Sequence, residues 1–219
     1  MTESRLELYS YWRSSASYRV RIALNLKDLN YVVHPIHLVR DGGQQHRPDF
    51  LKKNPQGLVP CLVHGKTVLT QSLAIIEYLD ECFGGPQLLP DNVVDRARSR
   101  MIAQVIACDL HPLNNLRVLH YLGTSLGLNE KATTDWYRHW TESGLRAVET
   151  LLQKKTAPSR FCLGEQPGLA DCCLLPQVYN ARRFGCSLEG CERILAIAER
   201  LASDERVRKA APENQPDAE

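Results

Sequence analysis

The residues best suited to chemistry lie near the amino terminus, where Arg13, Ser14 and Ser15 follow a strand-like segment and precede a helix-like one. The first turn of a helix carries unpaired N–H groups and the positive end of the helix dipole, so it stabilises an anion. The spacing therefore predicts a site for a thiolate, a carboxylate or a phosphate. Plain capping of the helix by the two serines is the alternative that these residues leave open.

The segments around this site alternate between strand and helix patterns over residues 6–82. Apolar residues alternate in the strand-like segments and recur at helical spacing in the others. In chain order the predicted elements are Leu6–Ser10, Ser15–Leu26, Tyr31–Leu38, Pro48–Lys53, Val59–Val63, Thr67–Leu69 and Ser72–Cys82. The order βαβ followed by ββα predicts a small sheet with parallel and antiparallel pairs, covered by helices.

The remainder of the chain has a helical pattern. A break rich in glycine and proline predicts a linker at 84–92. Helices are predicted beyond it at Val93–Leu126, kinked by Pro112, and at Glu130–Lys154, Leu169–Phe184 and Glu192–Leu201. The predicted organisation is therefore a sheet-containing domain at 1–83 and an all-helical domain at 93–219, joined by the linker.

Composition excludes several classes of protein. The hydrophobic content of 43% supports a packed core, and the net charge of +2 comes from interspersed residues that form no nucleic-acid stripe or polybasic membrane anchor. Neither a secretory signal nor a bilayer-spanning run is present in the pattern, which favours a cytoplasmic protein. The eight cysteines lack C-x-x-C spacing, so we expect reduced, buried thiols and no metal site.

Motifs along almost the whole chain resemble those of one family. They are Arg13-Ser14-Ser15, Arg19-Val20-Arg21-Ile22-Ala23-Leu24, Asp41-Gly42-Gly43-Gln44-Gln45, Asn54-Pro55, Val59-Pro60, Gln71-Ser72-Leu73-Ala74, Leu169-Ala170-Asp171, Pro176-Gln177-Val178 and Asn214-Gln215-Pro216-Asp217. On these residues the chain resembles the glutathione transferase superfamily, and within it the zeta class. The resemblance implies an α/β thioredoxin-like N-terminal domain followed by an all-α C-terminal domain. It also implies glutathione as the cofactor and a homodimer as the assembly.

The resemblance assigns the glutathione sulfur to the opening helix. A free thiol has a pKa of about 8.5, and lowering it by about two units requires roughly 2.7 kcal/mol. A helix terminus supplies only about 0.3 to 1 kcal/mol in most cases, so a hydroxyl donor is needed as well. Ser14 is the first choice for that donor and Ser15 the second. Many zeta-class members carry cysteine where this chain has Ala16, so the serines and backbone N–H groups of this segment carry the sulfur contact.

Other residues of the first domain are implied to bind the rest of glutathione. Val59 precedes Pro60 at the start of a predicted strand, where a cis bond or a plain edge-strand start would suit proline. The family implies the cis form, with the Val59 backbone pairing with the cysteinyl part. Gln71 and Ser72 are expected at the γ-glutamyl carboxylate, Ser72 also as a helix N-cap. Gln45 is expected at the other end of the peptide, a solvated loop glutamine being the alternative.

The second domain contributes further implied contacts. His111, Asn115, Leu116 and Arg117 match family positions that approach glutathione, partly across the dimer interface. Arg13 and Arg183 match positions that face the substrate, and the planar fork of arginine suits a dicarboxylate. Surface ion pairs are the alternative for both arginines, and capping of the helix kink is the alternative for His111.

These implications lead to one expected activity and several alternatives. The expected activity is glutathione-dependent cis-trans isomerisation of maleylacetoacetate or maleylpyruvate to the fumaryl isomer in aromatic catabolism. A glutathione-conjugating transferase or an α-halo acid dehalogenase would use the same thiolate to displace a leaving group. A noncatalytic binding protein of the same fold is the alternative from a different class.

Overall fold

The computed structural model describes residues 5–154 and 159–219. These residues form two compact units, the first comprising the described residues up to Leu89 together with Ser203–Glu219, and the second Pro90–Ala202. The division falls inside the linker predicted at 84–92. The C-terminal tail, which the sequence prediction grouped with the helical domain, packs with the first unit because buried Arg21 donates from Nε to the Ala210 carbonyl at 3.0 Å.

A four-stranded sheet organises the first unit. Its strands are β1 (Leu6–Ser10), β2 (Tyr31–Pro35), β3 (Cys61–His64) and β4 (Thr67–Thr70), in the spatial order β2-β1-β3-β4. β1 pairs parallel with β2 and antiparallel with β3, and β3 pairs antiparallel with β4. The mixed thioredoxin-like sheet is therefore confirmed. β2 ends at Pro35, earlier than the predicted Leu38, because its parallel partner β1 ends opposite it at Ser10.

The helices confirm the predicted change from a mixed to a helical pattern. In chain order they are α1 (Ser15–Leu26), α2 (Pro48–Leu51), α3 (Ser72–Cys82), α4 (Val93–Gln104), α5 (His111–Leu113), α6 (Leu116–Thr124), α7 (Glu130–Gln153), α8 (Leu169–Arg183), α9 (Glu192–Ser203) and α10 (Glu205–Lys209). The bounds of α1 and α3 are those predicted, while α10 was not predicted. Among the described residues, no helix combines the length and apolar character needed to cross a bilayer.

The core of the first unit forms where α1 packs against α3 and α10 beside the sheet. Leu8 of β1, Ile22 and Leu24 of α1, and Ile75 of α3 are all fully buried. Burial of such side chains contributes about 1.5 to 3 kcal/mol each. The loop between β1 and α1 is therefore attached at both ends to rigidly packed elements.

The first helical segment of the second unit is more broken than predicted. The sequence predicted one kinked helix over 93–126, but α4 ends at Gln104 and a π-helical turn spans Val105–Leu110 before α5. Pro112 explains the break, since it lacks an N–H and its ring clashes with the carbonyl four residues earlier. A second break precedes α6, which Asn115 caps by accepting the Arg117 N–H at 3.1 Å.

Helix α8 forms the centre of the second unit, with its residues buried from Leu169 to Val178. Asp171 fixes the start of α8, because its carboxylate accepts the N–H of Gly168 at 2.9 Å and the N–H of Cys162 at 3.0 Å. Glycine supplies no side-chain cap, so Asp171 alone satisfies these two donors. This arrangement agrees with a structural role for Asp171.

The cysteines are all free thiols, and six of the eight are buried. Cys82 and Cys108 are exposed, so the expectation of buried thiols is wrong for these two. Cys172 and Cys173 are fully buried on α8, where they pack as small apolar side chains.

Candidate active site

The loop between β1 and α1 ends at Ser14, which is the N-cap of α1. Its φ and ψ are −67° and 116°, and its Oγ accepts the Ser17 N–H at 3.2 Å. A serine oxygen that accepts a cap bond keeps its own proton, so Ser14 can still donate to an anion. Ser14 is partly exposed, so a ligand can reach it. Capping and donation, which the sequence left as alternatives, are therefore compatible.

The first turn of α1 supplies further positive character. The N–H groups of Ser15 and Ala16 lie at its first two positions, where no carbonyl of the helix precedes them. The Ser15 side chain is buried, with the residue 5% exposed, whereas Ala16 is partly exposed. The geometry therefore favours Ser14 over Ser15 as the hydroxyl donor to a ligand.

A buried arginine holds the loop that leads to Ser14. The Arg21 guanidinium donates from Nη1 to the Ser10 hydroxyl at 3.0 Å and to the Tyr11 carbonyl at 3.3 Å, and from Nη2 to the Trp12 carbonyl at 2.9 Å. Its burial lowers the pKa of Arg21 to about 10, which still leaves the side chain charged at neutral pH. These charge-assisted bonds fix the backbone of the loop just before the cap.

The start of α3 differs from its prediction. Gln71, and not Ser72, is the N-cap, and Ser72 is the first helical residue. Gln71 has φ 69° and ψ 114°, a left-handed conformation that is strained for a residue other than glycine. Among the described residues no side chain caps this turn, so its first N–H groups are available to a carboxylate.

A second buried arginine links the second turn of α1 to the start of α3. Arg19 of α1 donates from Nη1 to the Ser72 hydroxyl at 3.2 Å, and both residues are buried. The side chain of Gln71 is oriented separately, by donating to Gln56 Oε1 at 2.8 Å. The positive charge of Arg19 adds to the dipole of α3, which strengthens the attraction for an anion at this helix start.

Two other predicted glutathione contacts are nearly buried. The Val59–Pro60 bond is cis, as the family resemblance implied, and Val59 is 8% exposed. Its N–H and C=O form no hydrogen bond with other described residues. Gln45 is also 8% exposed, so it is not a solvated loop residue. Gln45 donates from Nε2 to the Leu38 carbonyl at 3.2 Å, while its Oε1 has no partner among the described residues.

Arg13 in the first unit is held by aromatic side chains. It donates from Nη2 to the Tyr11 hydroxyl at 3.2 Å, and its guanidinium carbon lies 4.7 Å from the centre of the Trp12 ring. It forms no ion pair with a described carboxylate. The surface ion pair considered for Arg13 is therefore absent among the described residues. The charge of Arg13 is available to a ligand.

Arg183 in the second unit has a similar local environment. It is the last residue of α8 and is exposed, and its guanidinium carbon lies 5.0 Å from the centre of the Phe184 ring. Within the described part of the chain it has no carboxylate partner. Its positive charge interacts favourably with the negative carbonyl end of α8. The same guanidinium can also bind an anion.

The remaining predicted positions of the second unit cluster at the break between α5 and α6. His111 is the first residue of α5 and is partly buried, and Asn115 is the cap of α6. Leu116 and Arg117 begin α6 and are both exposed. Asn115 thus has a structural role that does not depend on a ligand.

Comparison with known proteins identifies the family. The family description "Glutathione S-transferase, N-terminal domain" matches residues 8–87. The maleylacetoacetate isomerase of Pseudomonas aeruginosa is 46% identical over 97% of this chain and 98% of its own length. A holo structure of maleylpyruvate isomerase, described as a bacterial zeta-class glutathione transferase, superposes with a TM-score of 0.94 at 42% identity over 97% and 100% of the two chains.

The chain belongs to the zeta class of the glutathione S-transferase family.

A further comparison concerns ligands. The structure of a maleylacetoacetate isomerase from Methylobacterium extorquens AM1, with malonate and glutathione bound, has a TM-score of 0.93 and 41% identity over 97% of this chain and 99% of that one. The thioredoxin-like and all-helical fold expected of this glutathione S-transferase is thus confirmed. The roles of individual residues remain predictions.

Sequence reasoning missed two residues that shape the site of this glutathione S-transferase. Arg21 was noted only as part of a motif, and Asp217, which accepts the Trp12 N–H at 3.0 Å, only as part of the tail. A signal for Arg21 was present, because it stands with Arg19 between apolar residues of a buried helix. No local pattern connects Asp217 to Trp12, since the two are 205 positions apart.

Proposed function

We propose that this protein is a glutathione-dependent cis-trans isomerase that converts maleylacetoacetate or maleylpyruvate to its fumaryl isomer. The observation that carries the proposal is the Ser14 hydroxyl, which caps α1 while keeping a proton to donate to a sulfur anion. The zeta-class relatives carry the names of isomerases, which favours isomerisation over conjugation, dehalogenation or a noncatalytic role.

The residues of the first unit fit glutathione. A tripeptide with free carboxylates suits the uncapped start of α3, where Arg19 adds positive charge through Ser72. The Val59 backbone, whose N–H and C=O have no partner among the described residues, suits an extended peptide. We propose Gln71 and Ser72 for the γ-glutamyl carboxylate and Gln45 for the other end, with Val59 between them.

The chemistry divides between cofactor and protein. Bound glutathione supplies a thiolate that adds reversibly to the cis double bond, which allows rotation before elimination restores the double bond. Ser14 holds the sulfur deprotonated by donating its hydroxyl proton as a hydrogen bond, and the N–H groups of Ser15 and Ala16 add to this field. Ala16 has no thiol, which disfavours a thioltransferase role.

The substrate is proposed to be a small dicarboxylate. Arg13 is proposed to bind one of its carboxylates, since its guanidinium lies on Trp12 without a described carboxylate partner. Arg183 is proposed as a second carboxylate ligand on the same local evidence. His111, Asn115, Leu116 and Arg117 are proposed to approach glutathione. We further propose a cytoplasmic homodimer, with no nucleic-acid partner.

The test is a parallel assay of both maleyl substrates with and without glutathione. We expect isomerisation that requires glutathione in catalytic amount and leaves its concentration unchanged. Stoichiometric consumption of glutathione would show a conjugating or dehalogenating enzyme. Absence of turnover together with no retention on immobilised glutathione would show a noncatalytic protein.

A further inference from the structure

The C-terminal tail is hydrogen-bonded to the loop that ends at Ser14. Asp217 Oδ2 accepts the backbone N–H of Trp12 at 3.0 Å. On the other side of the same residue, the Trp12 carbonyl accepts Arg21 Nη2 at 2.9 Å. The backbone of Trp12 is thus held by an anion and a cation, two residues before Ser14. Hydrogen bonds to ionised groups are about twice as strong as neutral ones, so Trp12 has little freedom to shift.

Arg21 connects the same loop to the start of the tail. Its Nε donates to the Ala210 carbonyl at 3.0 Å, while its other nitrogens bind the loop carbonyls. Asp217 also lies near enough to Arg21 to oppose the lowering of its pKa by burial. One buried guanidinium therefore links Ala210 to the loop before Ser14, and Asp217 binds the same loop separately through the Trp12 N–H.

The last residue of the tail contacts the loop that follows β2. Glu219 Oε1 accepts His37 Nε2 at 3.1 Å and also pairs with Arg40 Nη2. His37 Nδ1 accepts the N–H groups of Val39 and Arg40, so in this geometry the proton lies on Nε2. His37 packs edge-on against the Tyr11 ring at 5.0 Å, which joins this contact to the loop before Ser14.

We propose that residues 210–219 position the loop that activates the glutathione thiol, with Asp217 as the positioning residue. The inference rests on the proposed function. In the proposed site Asp217 contacts neither the sulfur nor the substrate. It acts through the Trp12 N–H, which sets the backbone that directs the Ser14 hydroxyl. A carboxylate is suited to this task because it is a strong hydrogen-bond acceptor and satisfies the Trp12 N–H in place of water.

The experiment compares the purified full chain with Asp217→Ala and Asp217→Asn. Glu213→Gln is the matched control, since it removes one negative charge from an exposed position of the same tail. Three quantities are measured for each protein: the pKa of the bound thiol by ultraviolet absorbance, kcat and KM for glutathione, and hydrogen exchange of the Trp12 amide. Thermal unfolding of each variant accompanies them.

We expect Asp217→Ala to raise the pKa of the bound thiol, lower kcat about tenfold and speed exchange of the Trp12 amide. Asp217→Asn keeps an acceptor oxygen, so it should recover part of each loss, and Glu213→Gln should match the unmodified protein. If Asp217→Ala does not fold, Asp217→Asn decides by the same measurements at a temperature where it is folded.

Two results would overturn the inference. One is an unchanged thiol pKa and kcat in a folded Asp217 variant. The other is an unchanged exchange rate at Trp12, which requires no glutathione. Failure of the proposed function looks different, because the unmodified protein itself would then lack glutathione-dependent turnover while Asp217→Ala still altered exchange at Trp12.

Discussion

At the scale of single residues, the proposed chemistry depends on a hydroxyl that has two roles. Ser14 accepts the Ser17 N–H and can donate its own proton. We predict that Ser14→Ala lowers isomerase turnover at neutral pH by about ten- to hundredfold, because a hydrogen bond to a charged group contributes about 1.5 to 3 kcal/mol. Steady-state assays check this, with Ser15→Ala as the control. Equal losses in both variants, or a loss only in Ser15→Ala, would contradict the assignment of Ser14.

Arg21 provides a second test at this scale. Its guanidinium makes four hydrogen bonds, to Ala210, Ser10, Tyr11 and Trp12. We predict that Arg21→Lys lowers the free energy of unfolding by about 2 to 4 kcal/mol, because an ammonium cannot reproduce the planar fork and leaves buried carbonyls unpaired. Urea unfolding measures the change. A decrease in the free energy of unfolding of less than about 0.5 kcal/mol, the size usual for surface substitutions, would show that the hydrogen bonds of Arg21 do not stabilise the fold.

At the scale of elements, the turn between α5 and α6 contains a residue whose structural role and proposed ligand-binding role can be measured separately. Asn115 caps α6 and is also proposed to approach glutathione. We predict that Asn115→Ala lowers the free energy of unfolding by about 1 kcal/mol through the lost cap. Asn115→Ser restores a capping oxygen and should recover that stability. If KM for glutathione rises in Asn115→Ala and stays high in Asn115→Ser, the amide also binds the cofactor; a KM unchanged in both variants contradicts that contact.

Local chemistry determined which elements were predictable. α1 and α3 were placed correctly because apolar spacing and short polar boundaries mark their ends. The break of the 93–126 segment was underestimated, since a proline indicates a kink but not the π-helical turn that relieves it. Ser72 was taken for an N-cap because serine suits that position, whereas the strained backbone of Gln71 is visible only in three dimensions.

At the scale of the whole molecule, glutathione is expected to stabilise the folded protein. A ligand that binds only the native state at a concentration of 100 times its Kd raises the free energy of unfolding by about 2.7 kcal/mol. We predict an increase of this size with glutathione, and a similar one with S-methyl glutathione, which has no thiol to activate. Only glutathione should support turnover. Absence of any stabilisation, measured by thermal unfolding, would contradict the proposed site.

The sequence predicted the two-domain architecture, but it did not predict the contacts between residues that are far apart in the chain. Motifs spread over the chain indicated a thioredoxin-like domain and a helical domain, and the fold confirms both. The grouping of Ser203–Glu219 with the first unit was not predicted. It depends on contacts such as Asp217 with Trp12 and Arg21 with Ala210, which join residues far apart in sequence and have no local signature.

The most direct test is a pH titration of the sulfur of glutathione bound to the unmodified protein, followed by the ultraviolet absorbance of the thiolate. If Ser14 and the start of α1 stabilise the thiolate, the pKa of the bound sulfur lies about two units below the value of about 8.5 for a free thiol. A bound sulfur that stays protonated into alkaline buffer would contradict this stabilisation.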